Sequence, residues 1–144
     1  MSNEIGLPRI EYEDINSGQG TLNKNISDKY STKQGMAFQT HDILFGKLRP
    51  YLKNWLLAYF PGIAVGDFWI LRGLETDSSF IYTLIQSDAF EKVANQSTGT
   101  KMPRADWPLV SKTVFKIPGS KAEQHQFGTL FLHLDNLITL HQRK

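Results

Sequence analysis

The sequence contains no cysteine, and this absence excludes several classes of protein at once. Without thiols the chain can form no disulfide scaffold, zinc ribbon or cysteine nucleophile. Long hydrophobic runs are missing too, because no window approaches the roughly 18 apolar residues of a membrane span. The start, Met1-Ser2-Asn3-Glu4, lacks the basic and then apolar run of a signal peptide. We therefore expect a cytoplasmic chain that does not contact a membrane.

The signatures of common catalytic sites are also missing. The sequence has no Gly-x-Gly-x-x-Gly, no phosphate-loop pattern, no His-Glu-x-x-His and no Gly-x-Ser-x-Gly. No lysine has an acid two residues before it, as the acid-x-lysine triplet of metal-dependent nucleases needs, and no Pro-Pro is present for the target-amine loop of an adenine methyltransferase. His125, His133 and His141 are spaced by about 80° each around a helix, so they cannot share one metal. The sequence predicts no catalytic residue, metal site or cofactor.

What the sequence does hold is enough apolar surface for a core, together with an uneven distribution of charge. Of the 144 residues, 40% are apolar, including 9 Phe, 5 Tyr and 3 Trp, which suits a single domain. The net charge is only +2, but residues 33–53 hold four cations and one acid, and residues 100–121 hold five cations and one acid. The two segments would form a phosphate-attracting face if the fold brings them together, whereas ordinary solvated lysines would give the same count.

Residue periodicity predicts an α+β fold with a mixed or antiparallel sheet. In residues 42–53 the alternation places Leu44, Leu48 and Leu52 on one face, which indicates a strand with one buried side. Residues 95–104 are polar and punctuated by glycine and proline, so we expect an exposed loop there. We also expect strands over 54–60, 63–71 and near 109–117, the first two paired as a hairpin around Pro61-Gly62, and a single helix over 78–93 that begins at Asp77 or Ser78.

The last segment has the pattern of a long amphipathic helix. Pro118-Gly119 ends the preceding strand, and Ser120 with Glu123 has the spacing of a capping box. The predicted division is thus a domain over 1–118 and a helix over 119–144, of which the residues from Ser120 on would span roughly 36 Å. We expect this helix to form a coiled coil with a partner, and packing back on its own sheet is the alternative. The stripe predicted to face the partner comprises Phe127, Leu130, Phe131, Leu134, Leu137, Ile138 and His141.

Three ordered motifs resemble those of one known family. They are His41-Asp-Ile-Leu-Phe-Gly-Lys-Leu-Arg-Pro-Tyr-Leu-Lys53, Ser97-Thr-Gly-Thr-Lys-Met-Pro-Arg-Ala-Asp-Trp107, and Glu123-Gln124 leading into Leu134-Asp-Asn-Leu-Ile-Thr-Leu-His-Gln-Arg-Lys144. Together with the opening Leu7-Pro-Arg-Ile-Glu-Tyr-Glu-Asp-Ile, they closely resemble the specificity subunit of Type I restriction-modification enzymes. The family pattern usually has glycine where His41 stands in this chain.

The resemblance implies a non-catalytic subunit that recognises double-stranded DNA. In that family a full subunit has two target recognition domains, each followed by a long helix, and the two helices pair antiparallel as a spacer. This chain matches one domain and one helix, so it would read one half of a split DNA site and dock the methylating and restriction subunits. It is then either a fragment or a half-length subunit that forms a homodimer or pairs with another specificity half.

The resemblance and the basic segments together select the residues expected to face DNA. Arginine can contact guanine through two hydrogen bonds, and lysine suits phosphate. A structural interpretation stays open beside this one, in which Trp107 and Met102 fill the core and Arg104 pairs with Asp106 or another acid. The predicted DNA-binding residues are Lys47, Arg49, Lys53, Thr98, Lys101 and Arg104.

Three functions follow as hypotheses. The favoured one is DNA recognition within a restriction-modification complex. The second is a truncated protein-interaction module that acts through its C-terminal helix without binding DNA. The third, a stand-alone nuclease or methyltransferase, is disfavoured because the motifs of both enzymes are missing.

Overall fold

The computed structural model describes residues 2, 4, 6–26, 29, 31–73, 76–96, 103–113, 115 and 124–126. These residues form short strands and helices, in agreement with the α+β class that the sequence predicts. No helix within the described ranges is both long and apolar enough to cross a membrane. The strands are β1 (Arg9–Ile10), β2 (Ile15–Asn16), β3 (Thr21–Leu22), β4 (Met36–Phe38), β5 (Ile43–Gly46), β6 (Trp55–Leu57), β7 (Gly62–Ala64) and β8 (Phe68–Leu71), and the helices are α1 (Ser78–Ile85), α2 (Asp88–Ala94) and α3 (Trp107–Lys112).

The strand β5 lies at the centre of one sheet. It pairs antiparallel with β6, where Phe45 is opposite Trp55, and antiparallel with β8, where Phe45 is opposite Trp69. All four residues of β5 are buried. Ile43 and Phe45 pack into the apolar cluster that includes residues of α1 and α2, while Leu44 packs into a second cluster. The expectation of one buried side was therefore wrong, because both faces of this sheet are covered.

The chain after β5 does not continue as a strand, although residues 42–53 were predicted to be extended. The strand ends at Gly46, and a single 3-10 turn occupies Pro50–Leu52. Proline cannot donate a hydrogen bond to a neighbouring strand and has the φ angle that the first position of such a turn needs. Leu52, which was expected on the buried face, is 39% exposed.

A second sheet joins distant parts of the chain. In this sheet β7 lies between β1 and β4, parallel to β1 with Arg9 opposite Ile63, and antiparallel to β4. The predicted hairpin was therefore wrong, because β6 pairs with β5 and residues 63–71 divide between β7 and β8. The division falls at Gly66, whose φ of +110° is rarely adopted by other residues and turns the chain from one sheet into the other.

The single helix predicted over 78–93 is two helices. The Asp77 side chain caps α1 by accepting a hydrogen bond from the Phe80 N–H at 3.2 Å, which confirms one of the two predicted caps. The Ser87 hydroxyl then caps α2 by accepting from the Phe90 N–H at 3.2 Å, and it donates to the Leu84 carbonyl at the end of α1. A serine that caps a new helix interrupts the one before it, so the continuous apolar spacing was misleading.

Residues near 109–117 were predicted to be a strand, but the described part of this range begins in α3. Asp106 has extended φ and ψ angles at the N-cap position, and Pro108 lies in the first turn, where its missing N–H costs nothing. Val110 is the buried residue of α3 and joins the same apolar cluster as Phe45 and Phe90. The first residues of the predicted strand thus belong to a short helix that buries Val110.

His41 has a backbone conformation that favours glycine. Its φ is +75°, in the left-handed region, at the turn that leads into β5. The turn is held by hydrogen bonds from the Asp42 N–H to the Gln39 carbonyl at 3.0 Å and from the His41 N–H to the Ala58 carbonyl at 2.8 Å. Glycine adopts this φ without steric cost, which gives a physical reason for the glycine in the family pattern. Histidine is among the residues that tolerate this region best.

The described part of the predicted C-terminal helix is short and contacts α1. Residues 124–126 are helical. Gln124 is buried, and its Oε1 accepts a hydrogen bond from the Asp77 N–H at 2.9 Å. His125 Nδ1 lies 3.1 Å from Asp77 Oδ1. All of the predicted partner-facing residues lie outside the described residues, namely Phe127, Leu130, Phe131, Leu134, Leu137, Ile138 and His141.

Two glycines in the turn between β2 and β3 allow a matched test of packing. Gly18 and Gly20 both have positive φ, at +75° and +66°. A Cβ on Gly20 would overlap the Tyr82 hydroxyl, whereas a Cβ on Gly18 would meet only the Lys53 side chain at 3.8 Å. We expect Gly20→Ala to lower the free energy of unfolding by roughly 2–4 kcal/mol and Gly18→Ala by about 1 kcal/mol, from backbone strain alone. Urea denaturation measures both, and equal losses would contradict the packing argument.

Candidate nucleic-acid interface

The two basic segments of the sequence are joined through their backbones. Leu48 and Arg104 form an antiparallel bridge. On either side of it, the Arg49 N–H donates to the Pro103 carbonyl at 2.6 Å, and the Ala105 N–H donates to the Lys47 carbonyl at 2.7 Å. Residues 47–49 from the first family-like motif therefore lie beside residues 103–105 from the second. We call the resulting group of Lys47, Arg49, Asp67 and Arg104 the basic corner.

A half-buried tyrosine and an aspartate carbonyl hold this pairing in place. The Asp67 carbonyl accepts a hydrogen bond from the Lys47 N–H at 2.9 Å and another from the Tyr12 hydroxyl. The same hydroxyl accepts from the Leu48 N–H at 3.1 Å, and the Tyr12 ring contacts Phe68 edge to face at 4.7 Å. Burial raises the pKa of Tyr12 to about 12, so its hydroxyl keeps its proton and remains a donor at neutral pH.

Arg49 turns the chain at the edge of the basic corner. Its φ of +49° and ψ of +66° are left-handed, and the 3-10 turn Pro50–Leu52 follows. Its Nε is buried and has no hydrogen-bond partner in the part of the chain that the structure describes. Tyr51 at the tip of the turn is 55% exposed. At the end of the turn, Lys53 Nζ lies 3.6 Å from Glu91 Oε1 on α2. Lys53 thus lies at the border of the basic corner, and Glu91 partly neutralises its charge.

Arg104 pairs with Asp67, while the described ranges show no pairing with Asp106. Arg104 Nη2 lies 3.3 Å from Asp67 Oδ2, and the side chains are 55% and 38% exposed. The structural interpretation of this motif was therefore right about an acidic partner. It was wrong about Trp107, which is 50% exposed and contacts Trp69 edge to face at 5.0 Å, so it covers the core instead of filling it. Met102, with Thr98 and Lys101, lies outside the described residues.

Lysines of the N-terminal region are neutralised by carboxylates. Lys29 Nζ lies 2.7 Å from Glu11 Oε2 and 2.6 Å from Asp14 Oδ2. Lys24 contacts Asp14 at 2.9 Å, and Lys33 contacts Glu11 at 2.7 Å. Burial raises the pKa of Asp14, but hydrogen bonds from Lys29 and from the Glu11 N–H outweigh this effect and lower it overall. These lysines are therefore held in an ionic cluster. Lys33, which contributes to the first basic segment of the sequence, adds little free positive charge.

Two arginines outside the basic corner are also occupied. Arg72 donates two hydrogen bonds to the buried Asp42, from Nε at 2.7 Å and from Nη2 at 2.6 Å. Arg9 is buried and donates to the carbonyls of Glu4 and Leu7. Lys47 and Arg49, in contrast, take part in no ion pair within the described ranges. Among the described cations of the two motifs, the two without an ion pair, Lys47 and Arg49, therefore lie at the basic corner.

The structure brings together three of the predicted DNA-binding residues, Lys47, Arg49 and Arg104, with Lys53 nearby. Sequence reasoning missed the two residues that hold them. Tyr12 and Asp67 act through a hydroxyl and a backbone carbonyl, and such contacts leave no spacing pattern in a sequence. The Gly66-Asp67 pair between two apolar runs was the available signal, because it marks a turn.

The Tyr12 hydroxyl provides a test of how the basic corner is held. Tyr12→Phe removes the acceptor of the Leu48 N–H and one donor to the Asp67 carbonyl, so we expect the free energy of unfolding to fall by about 1–3 kcal/mol. Tyr59→Phe is the control because Tyr59 is 69% exposed, and its effect should stay within about 0.5 kcal/mol. Equal values for the two variants in urea denaturation would show that the buried hydroxyl does not stabilise the corner.

Comparison with known proteins gives one kind of match. No family model matches the sequence. No curated protein matches it either. Among solved structures, the chain is similar to the HsdS subunit from Thermoanaerobacter tengcongensis, with 20% identity, a TM-score of 0.74, and coverage of 95% of this chain and 37% of that one. It is also similar to a chain from a study of complex assembly and conformational transition of the type I R-M system, with 18% identity, a TM-score of 0.74, and coverage of 94% and 37%.

These matches concern the fold over nearly the whole chain. The chain spans little more than a third of the length of each matched structure. The α+β fold implied by the sequence motifs is confirmed, since the chain shares its fold with an HsdS subunit and with a chain from a type I R-M system. The chain thus has the α+β fold of part of an HsdS specificity subunit.

Proposed function

We propose that this chain is a non-catalytic subunit that recognises one half of a bipartite double-stranded DNA target for a type I restriction-modification system. The observation that carries the proposal is the backbone pairing of residues 47–49 with 103–105, which gathers Lys47, Arg49 and Arg104 at one place. Lys24, Lys29 and Lys33 are paired with carboxylates, so they would attract a phosphate backbone less strongly than this corner. The fold shared with HsdS supports the same function.

The basic corner would divide its contacts between phosphates and bases. Lys47 and the partly compensated Lys53 suit phosphates, because an ammonium group is a compact charge without a fixed hydrogen-bonding plane. Arg49 and Arg104 have planar guanidinium groups that can donate two hydrogen bonds to the O6 and N7 of guanine. Thr98 and Lys101 stay predictions for the same surface.

The remaining parts of the chain would organise the complex. Residues 1–118 would form the recognition domain and residues 119–144 a spacer helix, which would pair with the helix of a second copy or of another specificity half. The contact of buried Gln124 with Asp77 supports a fixed starting point for that helix on α1. The assembled pair would dock the methylating and restriction subunits in the cytoplasm. Two identical readers would select a symmetric, interrupted DNA sequence.

Salt dependence tests the DNA-binding proposal directly. Binding of the full chain to a fluorescent mixed-sequence duplex should weaken with salt, with a log-log slope of about −0.9 for each phosphate that is neutralised. Lys47→Gln should reduce the magnitude of this slope by about 0.9, because Lys47 has no competing carboxylate in the described ranges. Fluorescence anisotropy between low and moderate salt measures the change.

Lys24→Gln is the matched control for that experiment. The substitution removes the same charge, but Lys24 is paired with Asp14 at 2.9 Å, so the slope should stay unchanged. Equal effects of the two substitutions would mean that only net charge matters and that the basic corner is not the interface. The absence of any salt-dependent binding by the unmodified chain would refute the proposed function.

The predicted helix pairing is tested by charge on its apolar stripe. Phe131→Asp with Ile138→Asp would bury two carboxylates in the helix contact, so we expect self-association to weaken at least about a hundredfold. Thr139→Asp lies off the stripe and should leave association unchanged. Sedimentation velocity measures the oligomeric state. Fluorescence anisotropy, at a protein concentration above the dissociation constant of the unmodified dimer, measures DNA affinity.

The same variants separate recognition from interaction alone. A monomeric Phe131→Asp, Ile138→Asp chain that still binds duplex with the salt dependence of the unmodified chain supports a reader joined to a spacer helix. An unmodified chain that self-associates but has no DNA affinity would instead identify an interaction module. Unchanged association of the double variant would show that the stripe is not the contact surface.

A further inference from the structure

An acidic side chain lies within the basic corner, where it opposes DNA binding. Asp67 is 38% exposed in its side chain, and its Oδ2 contacts Arg104 Nη2 at 3.3 Å. A carboxylate at a phosphate-binding surface repels the ligand, and simple charge attraction would be stronger without it. The position of Asp67 therefore calls for a role other than affinity.

The backbone around Asp67 fixes where its carboxylate can reach. Its carbonyl is held by the Lys47 N–H and by the Tyr12 hydroxyl, and the following residue, Phe68, begins β8. The Asp67 side chain accepts a hydrogen bond from Arg104, the residue that forms the backbone bridge with Leu48. Asp67 thus contacts the two basic segments at the same time, one through its main chain and the other through its side chain.

The contact with Asp67 restrains the Arg104 side chain but leaves some of its hydrogen-bond donors free. Within the described ranges, only the Nη2 atom of Arg104 is engaged, and the opposite edge of the guanidinium group keeps its donors. The pair is too exposed to contribute much to folding stability. The physical effect of the carboxylate is therefore to orient the guanidinium group and to compete with phosphate for it.

We propose that Asp67 is a positioning residue that determines specificity by holding Arg104 away from phosphates and presenting it to base edges. An arginine free to swing would bind any phosphate within reach, which adds affinity for every sequence equally. An arginine restrained by a carboxylate contributes only where a base accepts its remaining donors, as in a paired contact with guanine. Asp67 would in this way exchange affinity for sequence discrimination. The inference rests on the proposed DNA-binding function.

Asp67→Asn tests this role with the smallest change of shape. The full-length chain and the variant are each used to enrich binding sequences from a randomised duplex pool, and anisotropy is then measured on the enriched duplex and on the starting pool. We expect the variant to bind the starting pool more tightly, with a salt slope steeper by about 0.9, since Arg104 gains a phosphate. The ratio of affinities for enriched and starting duplexes should fall on the order of tenfold.

Two further variants identify the cause of any change. In an Arg104→Gln background, Asp67→Asn should alter neither the slope nor the ratio, because the group it positions is gone. Asp88→Asn, an exposed residue of α2, changes the net charge equally and should leave the ratio unchanged. Thermal unfolding of each variant reports on the fold, and a purely structural Asp67 would move the melting temperature without changing the slope.

The outcomes separate this inference from the function beneath it. An unmodified chain that enriches no sequence and shows no salt-dependent binding overturns the proposed function. An unmodified chain that binds and discriminates, while Asp67→Asn keeps its slope and ratio, overturns only the role of Asp67. The same shift in the Arg104→Gln background, or with Asp88→Asn, also overturns that role.

Discussion

The hydrogen-bonded pairing of the backbone at Leu48 with that at Arg104 is the contact on which the candidate interface depends. It joins two segments that are more than fifty residues apart, and every other feature of the basic corner is arranged around it. The Asp67 carbonyl and the Tyr12 hydroxyl complete the pairing from a third and a fourth part of the chain. Main-chain contacts of this kind tolerate different side chains, so a surface built on them can vary its recognition residues without losing its shape.

The distribution of charge in the fold differs from the distribution in the sequence. Glu11 and Asp14 neutralise lysines of the N-terminal region, and Asp42 holds Arg72. Ion pairs of this type neutralise cations that would otherwise be free to attract DNA. A charge count of the sequence still includes these residues as basic. A nearly neutral chain can therefore present a local positive surface, because these acidic side chains form ion pairs with cations away from the basic corner.

The sequence predicted the fold class and the basic segments better than it predicted the connections between strands. Alternating apolar residues marked β5, and aromatic and branched residues marked the strands within 54–60 and 63–71. The partners of β6 and β7 depend on contacts between distant residues, which local periodicity does not report. The helix break at Ser87 and the start of α3 depend on caps that compete with apolar spacing. Asp67 and Tyr12 escaped notice because they act through single polar contacts whose partners are only defined by the folded chain.

The parallel pairing of β1 with β7 has a consequence for the order in which the chain folds. Strand β1 lies more than fifty residues before its partner β7, so Ile10, wholly buried in the finished fold, stays exposed until this distant pairing forms. Strands β5, β6 and β8 are close together in sequence, so their sheet closes shorter loops and can form first. From loop length we expect the N-terminal segment to dock after that sheet, together with Tyr12. The surface proposed to read DNA would then be completed by a late step of folding.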